Sequence, residues 1–260
     1  MPYADNQGIH IYYETAGAGP SLVLQHWSLN TLECWYDHSY VPALQNDYRV
    51  ILLDARGHGG SDKPHDPAAY TLERRASDIV AVLDDLGIDR AHYLGYSMGA
   101  WIGFGVAAYA PQRVQSMILG GGHPYGQTMD VLRQYVRHGL EHGYEAYIEL
   151  WESNSATFTP AQKQRIAAFD FEALWAIASD RPSLDHVLPA MTMPCLLFAG
   201  EDDPIFPHVQ RCARELPNAQ FVALPGCDHG TAIERRDDVL PHVTRFLAGV
   251  NSQVRKLRQE

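Results

Sequence analysis

Four short apolar runs mark the first half of the chain. They cover residues 21–25, 49–54, 91–94 and 114–119, and no charged residue interrupts their centres. Runs of this length are typical of strands that are covered on both faces, as in a parallel sheet. Helical stretches separate the last three runs. The order strand, loop, strand, helix, strand, helix, strand therefore predicts a parallel sheet with helices on both faces.

The helix between the second and third runs has clear start and stop signals. Thr71 is a capping residue, and Gly87 follows the last apolar position. Between them apolar residues recur at three- and four-residue steps, which predicts an amphipathic helix; these are Leu72, Ala76, Ile79, Leu83 and Leu86. The next helix, over residues 100–110, is rich in small residues, which indicates close packing against the sheet.

Strand signals also occur at both ends of the chain. Residues 8–14 alternate in the manner of an antiparallel edge strand. Runs at 195–200 and 219–224 flank a helix at 207–216. A last helix is predicted to end near Ala248. We therefore predict an α/β protein with a mostly parallel, doubly wound sheet of about eight strands.

The strand rhythm breaks between the sixth and seventh strands. Residues 123–190 show helix starts at Thr128, Thr159-Pro160 and Asp170 but no strand signal. The predicted organisation is a core of residues 1–122 and 191–250, a helical insert of 123–190 and a polar, frayed tail of 251–260. The insert is rich in large aromatic side chains. Three of these are candidates for a substrate pocket, because pockets favour aromatic walls; they are Tyr125, Trp151 and Trp175.

Composition narrows the class of protein. The 260 residues contain 31 acidic and 20 basic side chains, for a net charge of −11. This charge argues against a nucleic-acid partner. The four cysteines are widely spaced, which is typical of reduced thiols. No apolar stretch is long enough for a membrane span, and the N-terminus lacks a signal-peptide pattern. We expect a cytoplasmic protein without membrane contact, and assembly as a homo-oligomer stays open.

The stretch Gly95-Tyr96-Ser97-Met98-Gly99 carries the strongest chemical signal. It fits the pattern G-x-S-x-G between a predicted strand and a predicted helix. A serine that attacks a carbonyl must stand clear of the sheet on a tight turn, so its neighbours must be small. Its hydroxyl also needs a base within hydrogen-bonding reach. Ser97 is therefore the candidate nucleophile.

Further polar residues follow the other predicted strands. His26-Trp27, Asp202-Asp203 and His229 each come after a strand, as Ser97 does. In an open parallel sheet these ends share one edge, where ligands bind. A serine, an acid and a histidine in this chain order can supply a nucleophile, an orienting carboxylate and a general base. The sequence thus predicts a catalytic site at this edge.

Four motifs together resemble the α/β-hydrolase superfamily over residues 8–248. They are the Ser97 turn, the loop from Asp54 to Ser61, the turn Gly200-Glu201-Asp202-Asp203-Pro204 and the loop Gly226-Cys227-Asp228-His229. The resemblance favours the esterase, lactonase, perhydrolase and enol-lactonase branch, in which the insert forms a cap over the site. It implies that Asp203, rather than Asp202, is the acid. A serine nucleophile argues against the dehalogenase and epoxide-hydrolase branches.

The loop after residue 25 departs from this family. Relatives carry a His-Gly pair there, whereas this chain has Gln25-His26. Backbone N–H groups of Trp27 and Met98 are the predicted oxyanion donors, with Ser28 as the alternative to Trp27 if the register differs by one. His26 is expected to be structural, although it and Tyr96 are also candidates for the pocket.

The resemblance implies hydrolysis of a small-molecule ester or lactone through an acyl-enzyme, with Ser97, His229 and Asp203 as the triad. No metal or other cofactor is required. Amide, C–C bond and perhydrolytic chemistry use the same triad and stay open. A slow-turnover ligand receptor on a hydrolase fold is a less favoured alternative.

Overall fold

The computed structural model describes residues 2–154 and 157–257. Within this part of the chain one sheet contains eight strands, in the spatial order 1-2-4-3-5-6-7-8. They are Tyr3–Asn6 (β1), Ile9–Ala16 (β2), Ser21–Gln25 (β3), Arg49–Leu53 (β4), Ala91–Tyr96 (β5), Val114–Gly120 (β6), Cys195–Gly200 (β7) and Ala219–Leu224 (β8). Strands β3 to β8 run parallel, and β2 pairs antiparallel with both of its neighbours, β1 and β4. The predicted fold class is confirmed.

The antiparallel edge differs from the prediction by one strand. β2 is not the edge strand, because β1 pairs with its outer side. In this pairing Tyr3 lies opposite Tyr12, and Asn6 lies opposite Ile9. The two strands are joined by Gln7 and Gly8, which both have positive φ. A two-residue turn of this kind suits the twist of a hairpin. Four residues, of which two are polar, are too few to show a strand period.

Helices cover both faces of the sheet. The core helices are Cys34–Asp37 (α1), Tyr40–Leu44 (α2), Leu72–Asp85 (α3), Met98–Tyr109 (α4), Phe206–Glu215 (α9), Thr231–Glu234 (α10) and Arg236–Leu257 (α11). Helices α3, α4 and α9 share one apolar cluster with the sheet, and α1, α2, α10 and α11 share the other. In β3, Val23 faces the first cluster, and Leu22 and Leu24 face the second. Because both faces are covered, the whole run is apolar.

Two parts of the helical layer differ from the prediction. The short helices α1 and α2 lie in what the sequence presents as a loop. The last helix continues to Leu257 instead of ending near Ala248. Its polar turn is held to the sheet because Asn251 accepts a hydrogen bond of 3.0 Å from His92 Nε2. None of the helices in the described ranges is both long and apolar enough to cross a membrane.

The segment between β6 and β7 forms a helical layer of its own. Its helices are Asp130–His142 (α5), Tyr144–Ser153 (α6), Pro160–Ala167 (α7) and Phe171–Ile177 (α8). Their shared apolar cluster is built around Val136, Tyr147 and Leu174. The N-terminus of α7 has the predicted capping box of Thr159 and Gln162. The Thr128 cap is wrong: α5 begins at Asp130, and the Met129 N–H donates to Asp180 instead.

Candidate active site

Ser97 occupies a strained turn between β5 and α4. Its φ of +51° lies in the region that L-residues rarely adopt, and α4 begins at the next residue. A side chain at Gly95 would collide with the backbone of Gly99, and one at Gly99 would collide with the carbonyl of Gln25. Only glycine fits on both sides of the serine. The sequence pattern around Ser97 is therefore a steric requirement of this turn.

Ser97, His229 and Asp203 form one hydrogen-bonded chain. Ser97 Oγ lies 2.9 Å from His229 Nε2, and His229 Nδ1 lies 2.7 Å from Asp203 Oδ2. A carboxylate can only accept, so Nδ1 carries the proton and Nε2 is free to accept the Ser97 hydroxyl proton. The structure brings the three predicted catalytic residues together in the geometry that general-base activation of a serine needs.

The aspartate is buried and the histidine is accessible. The side chain of Asp203 is 1% exposed, whereas that of His229 is 42% exposed. Asp203 Oδ1 accepts from the Ile205 N–H at 3.0 Å, which fixes the carboxylate. Its neighbour Asp202 is exposed and has no hydrogen bond to His229 in the described part of the chain. Of the two candidate acids, only Asp203 reaches the histidine.

Tyr96 supports the histidine loop from below. It is 1% exposed, and its hydroxyl donates to the His229 carbonyl at 2.5 Å. Its ring stacks on Phe198 at 5.8 Å. Burial raises the pKa of Tyr96 well above its usual value, so the hydroxyl stays a donor. These contacts give Tyr96 a supporting position and leave little of its surface for the pocket wall on which it was placed.

His26 joins the end of β3 to the loop after β4. Its Nε2 accepts from the Ala55 N–H at 3.0 Å, so its Nδ1 carries the proton and donates to the Trp27 carbonyl at 2.8 Å. Burial lowers the pKa of His26, which keeps the ring neutral. With 0% exposure and both nitrogens bonded, His26 holds the loop and presents no free atom to a pocket. The expected structural role agrees with this placement.

The predicted oxyanion loop lies against the first turn of α4. A Cβ at Gly99 would also meet the His26 carbonyl oxygen, at 2.9 Å. The Trp27 ring is partly buried against Trp35 and Tyr96. Met98 is the first residue of α4, where backbone N–H groups have no partner within the helix. The loop and the helix N-terminus are thus adjacent, as an oxyanion hole requires.

The loop from Asp54 to Ser61 braces this edge. Arg56 is 1% exposed and binds both carboxylate oxygens of Asp78, at 2.5 and 2.7 Å. Its Nη1 also donates to the Ala69 carbonyl. His58 packs edge-on against His26, with ring centroids 5.1 Å apart. Every one of these groups is buried, so the loop supports the site edge from within.

The three aromatic residues predicted for the pocket separate into two places. Trp151 and Trp175 belong to the apolar cluster of the insert, and Leu29 of the oxyanion loop packs against the same cluster. Tyr125 packs against α9 instead: its hydroxyl donates to Glu215 at 2.8 Å, and its ring lies under Arg211. Leu29 thus connects the cluster of Trp151 and Trp175 to the site edge, and Tyr125 packs against His123 after β6; the place of all three in a substrate pocket stays a prediction.

Sequence reasoning missed a polar cluster beside the nucleophile. It contains Arg75 of α3, Trp101 of α4, and Arg181 and His123 from the two ends of the insert. One signal was available: Arg75 occupies a position on the apolar face of α3, next to Leu72 and Ala76. The other three positions depend on how distant segments pack.

Comparisons with known proteins agree with this architecture. A family model described as the alpha/beta hydrolase fold matches residues 20–173. The chain therefore belongs to the α/β-hydrolase fold family. The enol-lactonase from Burkholderia xenovorans LB400 superposes with a TM-score of 0.84 at 26% identity, over 95% of this chain and 100% of that chain.

Two curated relatives carry other activities in their names. RutD from Stutzerimonas stutzeri (strain A1501), whose name ascribes carbamate hydrolysis to it, is 29% identical over 86% of this chain and 91% of its own length. The 2-hydroxy-6-oxononadienedioate/2-hydroxy-6-oxononatrienedioate hydrolase from Paraburkholderia phymatum is 29% identical over 85% of each chain. Family membership thus supports a hydrolase acting on a small molecule and leaves the bond that is cleaved open.

Proposed function

We propose that this protein is a serine hydrolase that cleaves a carboxylic ester or lactone through an acyl-enzyme. The observation that carries the proposal is the chain of hydrogen bonds from Ser97 through His229 to the buried Asp203. An exposed histidine between a strained serine and a buried carboxylate has the arrangement of a general base. The similarity to an enol-lactonase supports the choice of ester or lactone.

In the proposed mechanism His229 Nε2 takes the proton of Ser97 as Ser97 Oγ attacks the carbonyl carbon. The oxyanion accepts hydrogen bonds from the Met98 N–H and from the Trp27 N–H, or from Ser28 if the register differs by one. His229 then donates its proton to the departing alkoxide. A water molecule, deprotonated by His229, then attacks the acyl group, and His229 returns this proton to Ser97 Oγ as the acid is released. Asp203 keeps the histidine in its productive tautomer and stabilises its cation.

Cleavage of a C–C bond is the second candidate. The named relative from Paraburkholderia phymatum supports it. The same nucleophile and base serve both reactions, so the triad does not separate them. Amide and perhydrolytic variants fall under the same argument. A slow-turnover receptor is less favoured, because His26 bonds Trp27 and Ala55 and so ties the predicted oxyanion loop to the loop after β4, even though the usual pair is replaced.

The proposal is tested with a panel of p-nitrophenyl acetate, p-nitrophenyl butyrate, an enol-lactone and a vinylogous 1,5-diketone acid. We expect multiple turnovers on an ester or the lactone, and a loss of about 10⁴-fold or more in kcat for Ser97→Ala. Ser77→Ala, at a serine of α3 that faces Asn6 of β1, is the matched control and should retain full activity. Turnover of the diketone acid alone would replace the ester assignment with C–C hydrolysis. Unchanged ester turnover by Ser97→Ala would refute the mechanism.

A further inference from the structure

Two arginines lie beside the nucleophile turn without a carboxylate partner among the described residues. Arg181 has its guanidinium carbon 4.8 Å from the centre of the Trp101 ring. Arg75 has its own 5.7 Å from the same ring, and its Nη1 is 3.6 Å from Met98 Sδ. Trp101 lies in the first turn of α4, which begins directly after Ser97. Both cations therefore share one aromatic side chain next to the reaction centre.

The acids of this neighbourhood are bound elsewhere. Asp78, the acid close to Arg75, is held by both nitrogens of the Arg56 fork. Asp180, which precedes Arg181, accepts from Arg133 and from the Met129 N–H. Asp203 is bonded to His229. The cluster thus has an excess of positive charge in a protein whose net charge is −11.

Both arginines remain charged at neutral pH. Burial lowers the pKa of Arg181 to about 10. Burial, and then the charge of Arg181, lowers the pKa of Arg75 to about 10. Each value is well above 7, so both side chains stay protonated at neutral pH. Like charges so close to each other repel, and removing them from water adds to the cost. A bound anion would relieve both effects.

The cluster also contains donors without partners. Trp101 Nε1 and His123 Nδ1 are buried and have no hydrogen bond within residues 2–154 and 157–257. Unpartnered buried polar atoms are rare and call for a ligand or water. Burial lowers the pKa of His123 to about 4, so its ring is neutral and one nitrogen can donate. His123 follows β6, between the strands that lead to Ser97 and Asp203.

We propose that Arg181 and Arg75, with the indole N–H of Trp101, form a subsite for a carboxylate of the substrate, at the junction of α3, α4 and the insert. This inference rests on the proposed function: it makes the substrate a monoanionic ester or lactone whose charged end lies away from the scissile carbonyl. Guanidinium groups suit a carboxylate because their N–H groups match its two oxygens. Arg181 is half-buried and is the more accessible member, since Arg75 is only 3% exposed and its Nε donates to the Tyr70 carbonyl.

A matched pair of substrates tests the subsite. One is the p-nitrophenyl monoester of glutaric acid, and the other is the same compound with its free carboxylate methylated. We expect kcat/KM to be about 10- to 100-fold higher for the anion, as charge-assisted hydrogen bonds predict. Arg181→Gln should remove this preference through a higher KM for the anion and leave the neutral ester within twofold. Arg211 also lies over an aromatic ring and provides the matched control. Arg211→Gln should leave the ratio of kcat/KM between the two esters unchanged.

A binding measurement separates this inference from the proposed function. Calorimetry on Ser97→Ala with glutarate should detect binding that the added Arg181→Gln change weakens about tenfold or more. Binding with no turnover of either ester would refute the hydrolase and keep the subsite. Equal effects of Arg181→Gln on both esters, or a lower melting temperature with an unchanged ratio, would show a structural brace. Displacement of glutarate by millimolar chloride or phosphate would show an inorganic-anion site and overturn the proposal.

Discussion

The edge of the sheet and the helical insert hold their side chains in different ways. At the edge, Ser97, Asp203 and His229 follow parallel strands, and hydrogen bonds of 2.7 to 2.9 Å connect them. In the insert, Trp151 packs against Tyr135 with ring centroids 4.4 Å apart, and Trp175 lies under the guanidinium of Arg137. Hydrogen bonds at the edge fix the positions of individual atoms, whereas packing in the insert forms an apolar surface. We infer that the edge determines the chemistry and the insert determines the choice of substrate.

The ion pairs that join the insert to the core are more exposed to solvent than the ion pairs within the site edge. Arg165 of α7 reaches Glu33 and Asp37 beside α1, and His65 reaches Asp170 at the start of α8. Most of these partners are solvent-exposed, and exposed ion pairs contribute at most about 1 kcal/mol each. The internal bracing of the edge, such as the Arg56–Asp78 pair, is buried instead. The exposed ion pairs thus contribute little to the attachment of the insert, which also relies on the apolar packing of Ala176 and Ile177 against Ala69 and Tyr70.

The largest expected effect is on the acid. Asp203→Asn should lower kcat by about 10⁴-fold for every substrate, because an amide no longer holds the histidine in its productive tautomer. Steady-state kinetics on the glutarate monoester and its methyl ester should show the same loss for both. The exposed neighbour offers a matched control, and Asp202→Asn should leave kcat within twofold. Comparable losses in the two variants would mean that the acid is assigned incorrectly.

A second prediction concerns the stability of the core in acid. Burial lowers the pKa of four core histidines below the value of an unfolded chain; they are His26, His58, His92 and His123. Below about pH 6.5 the unfolded chain takes up protons that the folded chain refuses, so stability is present above that pH and falls as the pH drops. We expect the melting temperature to fall by about 5–10 °C between pH 7.5 and 5.5.

The position of His92 allows a check far from the site. It lies on β5 and bonds Ser116 and Asn251. His92→Gln should make the melting temperature less dependent on pH over this range while ester turnover is retained. A pH dependence identical to that of the unaltered protein would show that His92 contributes nothing to it.

The smallest expected effect is in the insert. Trp175→Leu should change the ratio of kcat/KM between an aromatic and an aliphatic ester by about tenfold or less, mainly through KM, because it alters an apolar wall and no reacting atom. Tyr144→Leu, on an exposed part of the insert, should leave the ratio unchanged. An equal fall in kcat of Trp175→Leu for all substrates would contradict the inference that the edge determines the chemistry and the insert determines the choice of substrate.

The sequence predicts the core well because its signals are local. Apolar runs such as 49–53 and 195–200 reveal buried strands, and the glycines around Ser97 reveal a turn that other residues cannot form. β1 was not predicted, because its four residues are too few to show an alternating pattern. The helix beyond Ala248 escaped because its polar turn depends on Asn251 bonding to a strand about 160 positions earlier in the chain.

The walls of the site were harder to predict than its chemistry. A tyrosine beside the nucleophile suggests a wall, yet Tyr96 points into the core and supports His229. An aromatic residue in the insert suggests the same, yet Tyr125 packs on α9. The cluster of Arg75, Trp101 and Arg181 joins three segments that are distant in sequence. Such contacts depend on the tertiary arrangement, so no local sequence pattern predicts them.

Intact-mass spectrometry after treatment with a fluorophosphonate ester tests the central claim most directly. Ser97 should be activated by His229, so the folded protein should gain one adduct at neutral pH. Ser97→Ala should gain none, whereas Ser28→Ala, a serine of the neighbouring loop, should still be labelled. A folded protein that gains no adduct, or a Ser97→Ala variant that is labelled to the same extent, would contradict the assignment of Ser97 as an activated nucleophile.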